Sequence, residues 1–299
     1  FPTVHSPNPE EPAALEQAIL LAKEKGAELV MGTDPDADRV GIAIPNPEGE
    51  YVLLNGNQTG SLLVNYLISR WKELGKIKGN EFVAKTIVTT DLIDTIATAN
   101  KVKVYNTLTG FKHIGAIIKK LEGQEQFIGG GEESYGFLVG DKVRDKDAIS
   151  AALLACDLQS HLKGKNSSIY AYLLDTYQRF GCYQESLQSM TKKGKQGTEE
   201  INLLMRKMRQ ESPKTIANKV VTKLDDFQLS HTKYTNGSVK KLDFPKANVL
   251  KFHLEDGSTV AVRPSGTEPK IKFYISAVSY THLRAHETEA DLVCRLLLE

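Results

Sequence analysis

Aspartates 34, 36 and 38 alternate through the stretch Thr33-Asp34-Pro35-Asp36-Ala37-Asp38-Arg39. In an extended or tightly turned loop, that spacing lets three carboxylates converge on one hard cation; without a cation they would repel one another. An EF-hand would need glycine at the sixth loop position and glutamate at the twelfth. The chain has Arg39 and Pro45 there, so that reading fails. An arginine beside a divalent ion suits a phosphoryl group, whose charge the metal spreads and whose oxygens a guanidinium binds.

Two further stretches carry chemistry. In Gly129-Gly130-Gly131-Glu132-Glu133-Ser134-Tyr135-Gly136 the glycines allow close backbone approach to a ligand. A carboxylate and a hydroxyl two residues apart, Glu132 and Ser134, match neighbouring hydroxyls of a sugar. Arg263-Pro264-Ser265-Gly266-Thr267 packs a guanidinium, two hydroxyls and a glycine amide into five residues, a compact phosphate nest. Thr109-Gly110-Phe111-Lys112 opens a helix, where free N–H groups and a lysine favour an anion. Lys142, Arg144 and Lys146 form a local basic patch. Taken singly, each stretch also fits a plainer role: an acidic turn, a glycine-rich turn, a helix cap, a hairpin, a solvated surface.

The elements that must position these loops alternate between helical and strand patterns. Pro12 and the residues before it open a helix that keeps Leu15, Ala18, Ile19 and Ala22 at helical spacing and ends at Gly26. Leu29–Met31 reads as a buried strand leading into the aspartate loop. Helices are expected over 61–72, 92–100, 111–121 and 147–162, with strands over 81–88, 102–105 and 126–128, which makes α/β architecture over residues 55–165. A linker helix is expected over 166–184. Beyond it, a polar helix (198–210) and strands over 183–187, 219–223, 249–254, 259–262 and 271–276 suggest a small α+β domain over 185–278. The 38 basic and 37 acidic residues nearly cancel, leaving no global field for nucleic acid or an anionic membrane. Three scattered cysteines suit a reducing, cytoplasmic setting.

In order along the chain, these loops resemble the α-D-phosphohexomutase superfamily, the phosphoglucomutases and phosphomannomutases. The resemblance covers about residues 1–278 and implies the end of that family's second α/β domain (1–54), a complete third α/β domain (55–165) and a C-terminal α+β phosphate-binding domain (185–278). It implies Mg²⁺ on Asp34, Asp36 and Asp38, with Arg39 beside the transferring phosphate. Glu132 and Ser134 would take sugar hydroxyls, and Thr109, Gly110 and Lys112 would meet the substrate. Lys146 joins the substrate-binding set, while Arg263, Ser265, Gly266 and Thr267 would grip the phosphate that is not being transferred.

The implied activity is reversible phosphoryl transfer between C1 and C6 of a hexose phosphate, through a phosphoserine and a bisphosphate such as glucose 1,6-bisphosphate. Glucose and mannose stay undistinguished. The expected protein is a phosphoprotein, monomeric or weakly dimeric, with no nucleic-acid or membrane partner. Two departures stand out. The family's serine loop is not found; His5-Ser6-Pro7-Asn8-Pro9 imitates it but sits just before the helix leading to the metal loop, so an N-terminally truncated sequence is expected. Residues 279–299 read as a tail foreign to the family, similar to translated sequencing-adapter sequence, and the helically spaced His282 and His286 are rejected as a metal pair. Alternative readings are an inert sugar-phosphate-binding fragment, expected for the chain by itself, and a metal-dependent phosphatase, disfavoured by the second-phosphate loop.

Overall fold

The computed structural model describes residues 1–192, 194–266 and 268–279. Thr267 and nearly all of the 279–299 tail therefore lie outside the described residues. The chain divides into two compact units, Phe1–Phe180 and Gly181 onward.

The first unit opens with helix α1 (Pro12–Lys25), which has proline in its first turn. Gly26 closes it at φ +65°, a left-handed cap that glycine adopts without cost. Strands β1 (Val30–Thr33), β2 (Val40–Pro45) and β3 (Tyr51–Leu54) follow as an antiparallel sheet in sequence order. The aspartate loop is thus the turn of a β-hairpin. Strand β2, buried along most of its length, fixes that geometry by pairing Val40 with Thr33.

Helix α2 runs Gly56–Glu73, starting five residues before the expected Ser61. Two early glycines weaken its helical signal, but a reciprocal cap restores it. Asn55 Oδ1 accepts from the Gln58 N–H at 2.8 Å, and Gln58 Oε1 accepts from the Asn55 N–H at 2.9 Å. Then come β4 (Glu81–Thr86), α3 (Leu92–Ala99), β5 (Lys103–Thr107), α4 (Phe111–Leu121), β6 (Gln126–Gly131), β7 (Phe137–Val139), α5 (Ala148–Lys163) and α6 (Ile169–Phe180). The sheet order is β5-β4-β6-β7, parallel except for β7.

The glycine run 129–131 proves to be strand rather than turn. A Cβ at Gly130 would lie 1.9 Å from the Ala84 carbonyl oxygen, so only glycine lets β6 lie this close to β4. Helix α6, expected as a linker, packs into this unit instead. Ile169, Leu173 and Tyr177 are buried, and Thr176 Oγ1 accepts from Asn65 of α2 at 3.1 Å. The unit therefore reaches Phe180 rather than ending at 165.

The second unit contains β8 (Cys182–Thr191), α7 (Gly194–Gln210), β9 (Thr215–Ile216), β10 (Lys219–Asp226), β11 (His231–Tyr234), β12 (Val239–Lys241), β13 (Leu250–Leu254), β14 (Thr259–Pro264) and β15 (Lys270–Ser279). Its antiparallel sheet runs β12-β11-β10-β13-β14-β15-β8, with β9 beside β10. Ile201 and Met205 of α7 cover one sheet face through Leu224, Leu250, Phe252, Val262 and Ile271. Segregated helix and sheet match the α+β expectation.

Candidate active site

The hairpin turn between β1 and β2 winds around the Asp34 side chain. Asp34 Oδ1 accepts from the backbone N–H groups of Asp38 and Arg39, both at 3.0 Å, and Oδ2 accepts from Arg39 Nε at 2.6 Å. Ala37 sits at φ +55°, the left-handed position that folds Asp36 and Asp38 back towards Asp34. One carboxylate oxygen from each aspartate then lies within 4.8 Å of the others. Burial alone would raise the Asp34 pKa, but the hydrogen bonds from Arg39 and Asp38 outweigh it and hold that pKa at about 2. Asp38 Oδ1 is buried with no hydrogen-bond partner. Arg39 Nε approaches that oxygen only as an ion pair, at 3.6 Å, and three convergent carboxylates with one oxygen free of hydrogen bonds are the donor set a hard divalent cation takes.

Arg39 is held on a second side by the segment just before α1. Its Nη1 reaches Glu10 Oε1 at 3.3 Å and Asn8 Oδ1 at 3.5 Å. Pro9 packs so tightly on Gly41 that a Cβ there would meet the Pro9 carbonyl oxygen at 2.5 Å. The sequence carried no signal for Asn8 and Glu10, because nothing local ties them to an arginine about thirty residues on.

The Glu132–Gly136 turn joins β6 to β7 and lies directly against the aspartate turn. Val40 N–H donates to the Tyr135 carbonyl at 3.1 Å, and Arg39 and Gly136 form an isolated antiparallel bridge. Ala148 N–H donates to the Ala37 carbonyl at 3.0 Å, so α5 starts from the same cluster. Lys146 Nζ pairs with Asp38 Oδ2 across 108 residues of sequence. Gly136 leaves room for that lysine: a Cβ there would lie 2.5 Å from Lys146 Cδ. Of the basic patch, Lys146 enters the cluster while Arg144 pairs with Glu122 at 3.0 Å.

Glu132 is buried, and its Oε1 accepts from the Gly110 N–H at 2.7 Å. One N–H expected to face an anion at the start of α4 is therefore occupied by the buried carboxylate, which needs a donor more than solvent does. Burial, reinforced by the neighbouring Glu133 charge, pushes the Glu132 pKa up. Thr109 Oγ1 is buried without a hydrogen-bond partner, while Lys112 is exposed. Glu133 Oε2 accepts from Thr86 and Thr89 hydroxyls, each at 3.1 Å, which leaves Glu132 and Ser134 as the candidate sugar contacts.

Arg263, Ser265 and Gly266 belong to the second unit, at the β14–β15 hairpin. Ser265 N–H donates to the Lys270 carbonyl at 2.7 Å, Ser265 Oγ accepts from the Glu268 N–H at 3.3 Å, and Arg263 lies opposite Lys272 in register. Among the described residues other than its chain neighbours, no atom stands within 4 Å of a Cβ built on Gly266. An arginine beside a lysine at a hairpin end suits a phosphate.

The fold is that of an α/β unit followed by an α+β unit, and comparison with known proteins gives its family. The models of the phosphoglucomutase/phosphomannomutase α/β/α domains II and III match residues 1–49 and 55–177, and that of the C-terminal domain matches 200–292. Phosphoglucomutases of Staphylococcus epidermidis and Staphylococcus aureus are 40% and 38% identical over 277 residues, which cover 92% of this chain and 50% and 49% of those relatives. The crystal structure of Paramecium pp63/parafusin superposes with a TM-score of 0.63 at 20% identity, over 97% of this chain and 49% of that one. A Burkholderia thailandensis phosphoglucomutase/phosphomannomutase family protein gives 0.59 at 18% identity, over 93% and 48%. The chain belongs to the phosphoglucomutase/phosphomannomutase family of the α-D-phosphohexomutase superfamily, with domains II, III and IV of its fold. It spans about half the length of the curated relatives it matches.

Proposed function

We propose that the full protein containing this sequence is a phosphohexomutase that moves a phosphoryl group between C1 and C6 of a hexose phosphate, with glucose phosphate as the principal substrate. The glucose assignment rests on relatives at 38–40% identity being phosphoglucomutases. The observation that carries the reading is the docking of the aspartate turn on the Glu132–Gly136 turn. It puts groups suited to a phosphoryl and groups suited to sugar hydroxyls side by side.

Asp34, Asp36 and Asp38 would hold Mg²⁺, which when bound supplies charge neutralisation at the transferring group. Arg39, braced by Asp34, Glu10 and Asn8, presents its guanidinium to the phosphoryl oxygens. Glu132 and Ser134 orient the sugar, and Lys146 and the start of α4, with Thr109, Gly110 and Lys112, complete the substrate contacts. Arg263, Ser265, Gly266 and Thr267 hold the distal phosphate. In the cycle, phosphoserine gives its phosphoryl to the hexose phosphate; the bisphosphate turns around, and its other phosphoryl returns to the serine. Positioning and electrostatics carry most of the rate in such transfers. That serine is assigned to no residue here, since Ser6 belongs to the segment that braces Arg39. The 299-residue chain by itself binds glucose 1,6-bisphosphate without turnover. The expected setting is cytoplasmic, as a monomer or weak dimer.

In the full-length protein, Asp36→Ala should abolish interconversion of glucose 1- and 6-phosphates, and calorimetry should show bisphosphate binding to the 299-residue chain. Unchanged turnover in that variant would overturn the metal assignment, and turnover by the shorter chain would overturn the missing-serine reading.

A further inference from the structure

Lys85 lies within the parallel strand β4, and its side chain is fully buried. A charged ammonium in a protein interior is costly unless every donor is matched. Here the ammonium donates to Asp91 Oδ1 at 2.9 Å and to the Thr89 carbonyl at 3.0 Å, and it makes an ion pair with Asp94 Oδ2 at 2.8 Å. All three lie on one short segment, the connection from β4 into the first turn of α3. Asp94 also accepts from Asn106 of β5 at 3.0 Å, so the segment is tied to the neighbouring strand as well.

The pinned segment leads to the sugar turn. Thr86 and Thr89 hydroxyls are 2.8 Å apart, and both bond Glu133 Oε2. Thr90 N–H donates to Asn57 Oδ1 at 2.9 Å, in the first turn of α2. Beside it, Gly56 packs against the Glu133 carbonyl. Glu133 stands between Glu132 and Ser134, and its charge opposes that of buried Glu132. Two adjacent carboxylates do not hold a turn in place by themselves, so something must fix one of them.

We propose that Lys85 is a positioning residue: its buried ammonium clamps residues 89–94 so that Thr86 and Thr89 hold Glu133, fixing Glu132 and Ser134 for the hexose. The inference rests on the reading of Glu132 and Ser134 as the sugar contacts. The Lys85 pKa supports a charged clamp: burial would lower it, but Asp91 and Asp94 raise it above the ordinary lysine value. An apolar residue would serve a buried parallel strand at less cost in stability, which is why the lysine points to placement rather than packing.

The test uses the full-length protein with Lys85→Met, the double variant Thr86→Val/Thr89→Val, Glu132→Ala and Mg²⁺ titration. Lys85→Met should raise KM for glucose 1-phosphate about tenfold, the order expected when a charged hydrogen-bonded contact is misplaced. It should leave kcat within about threefold and change Mg²⁺ affinity less than KM, because the hydrogen bonds and ion pairs of Lys85 go to Thr89, Asp91 and Asp94 and not to the aspartate turn. Hydrogen exchange should rise at residues 132–136. The threonine double variant keeps the clamp but cuts its link to Glu133, and should reproduce the KM rise with a smaller loss of stability. That variant decides the matter if Lys85→Met fails to fold. If Glu132→Ala raises KM while both the methionine and valine variants leave it unchanged, the positioning role is overturned and the sugar reading stands. If Glu132→Ala leaves KM unchanged, the sugar reading falls, and the proposal with it.

Discussion

Asp34 is buried, and two backbone N–H groups and the Arg39 guanidinium donate to its carboxylate oxygens. Its pKa drops from 3.8 to about 2 on folding, so its ionised form stabilises the fold at any pH above the unfolded value. That stability is lost as the pH falls from about 4 through about 2, and amounts to about 2 kcal/mol. The sole tryptophan, Trp71, lies on α2 and reports the first unit. Urea unfolding followed by Trp71 fluorescence in metal-free buffer should show this acid-side slope, and Asp34→Asn should remove it. An equal slope in the variant would mean that other carboxylates carry the effect.

Helix α2 shows how one element can serve both stability and the site. Two of its glycines stand in opposite circumstances. A Cβ on Gly56 would meet the Glu133 carbonyl oxygen at 2.0 Å and the Tyr135 nitrogen at 2.7 Å, backbone atoms that cannot step aside singly. A Cβ on Gly60 would touch only the Ile93 Cδ1 at 3.8 Å, an ordinary contact. Gly60→Ala should therefore stabilise the first unit by about 0.5–1 kcal/mol through helix propensity and reduced chain entropy. Gly56→Ala should destabilise it by about 1–3 kcal/mol, as overpacking does, and weaken hexose phosphate binding by shifting the sugar turn. Urea midpoints and calorimetry of the two variants check both signs.

Each of the two units has its own core, and the three aspartates proposed as metal ligands all belong to the first. A ligand that binds only the folded state stabilises by mass action, about 2.7 kcal/mol at a hundredfold excess over its dissociation constant. Mg²⁺ should therefore slow amide exchange in β1, β2 and β4 by about that free energy while leaving β13, β14 and β15 unchanged. Asp36→Ala should abolish the effect. Equal protection of both units would show that the ion acts elsewhere.

Local signals were legible because their physics is local. Pro12 and Gly26 bound α1, the 111–121 periodicity matched α4 residue for residue, and the alternating aspartates pointed to carboxylates that do converge. Short strands such as β3, β11 and β12 were not legible, because a few residues acquire strand character only from the partner they pair with. The α6 helix read as a linker because its buried partners lie on α2, more than a hundred residues earlier. The glycine run 129–131 fitted a ligand approach or a turn equally well by sequence, and Ala84 of the adjoining strand explains it. By itself the sequence determined which chemical groups are present, in what order, and hence the family. Only the tertiary structure decided that Lys146 reaches Asp38, that Glu132 takes the Gly110 N–H, and that Glu10 braces Arg39. Those contacts join segments that sequence spacing leaves independent, and sheet pairing and burial alone bring them within a hydrogen bond's reach.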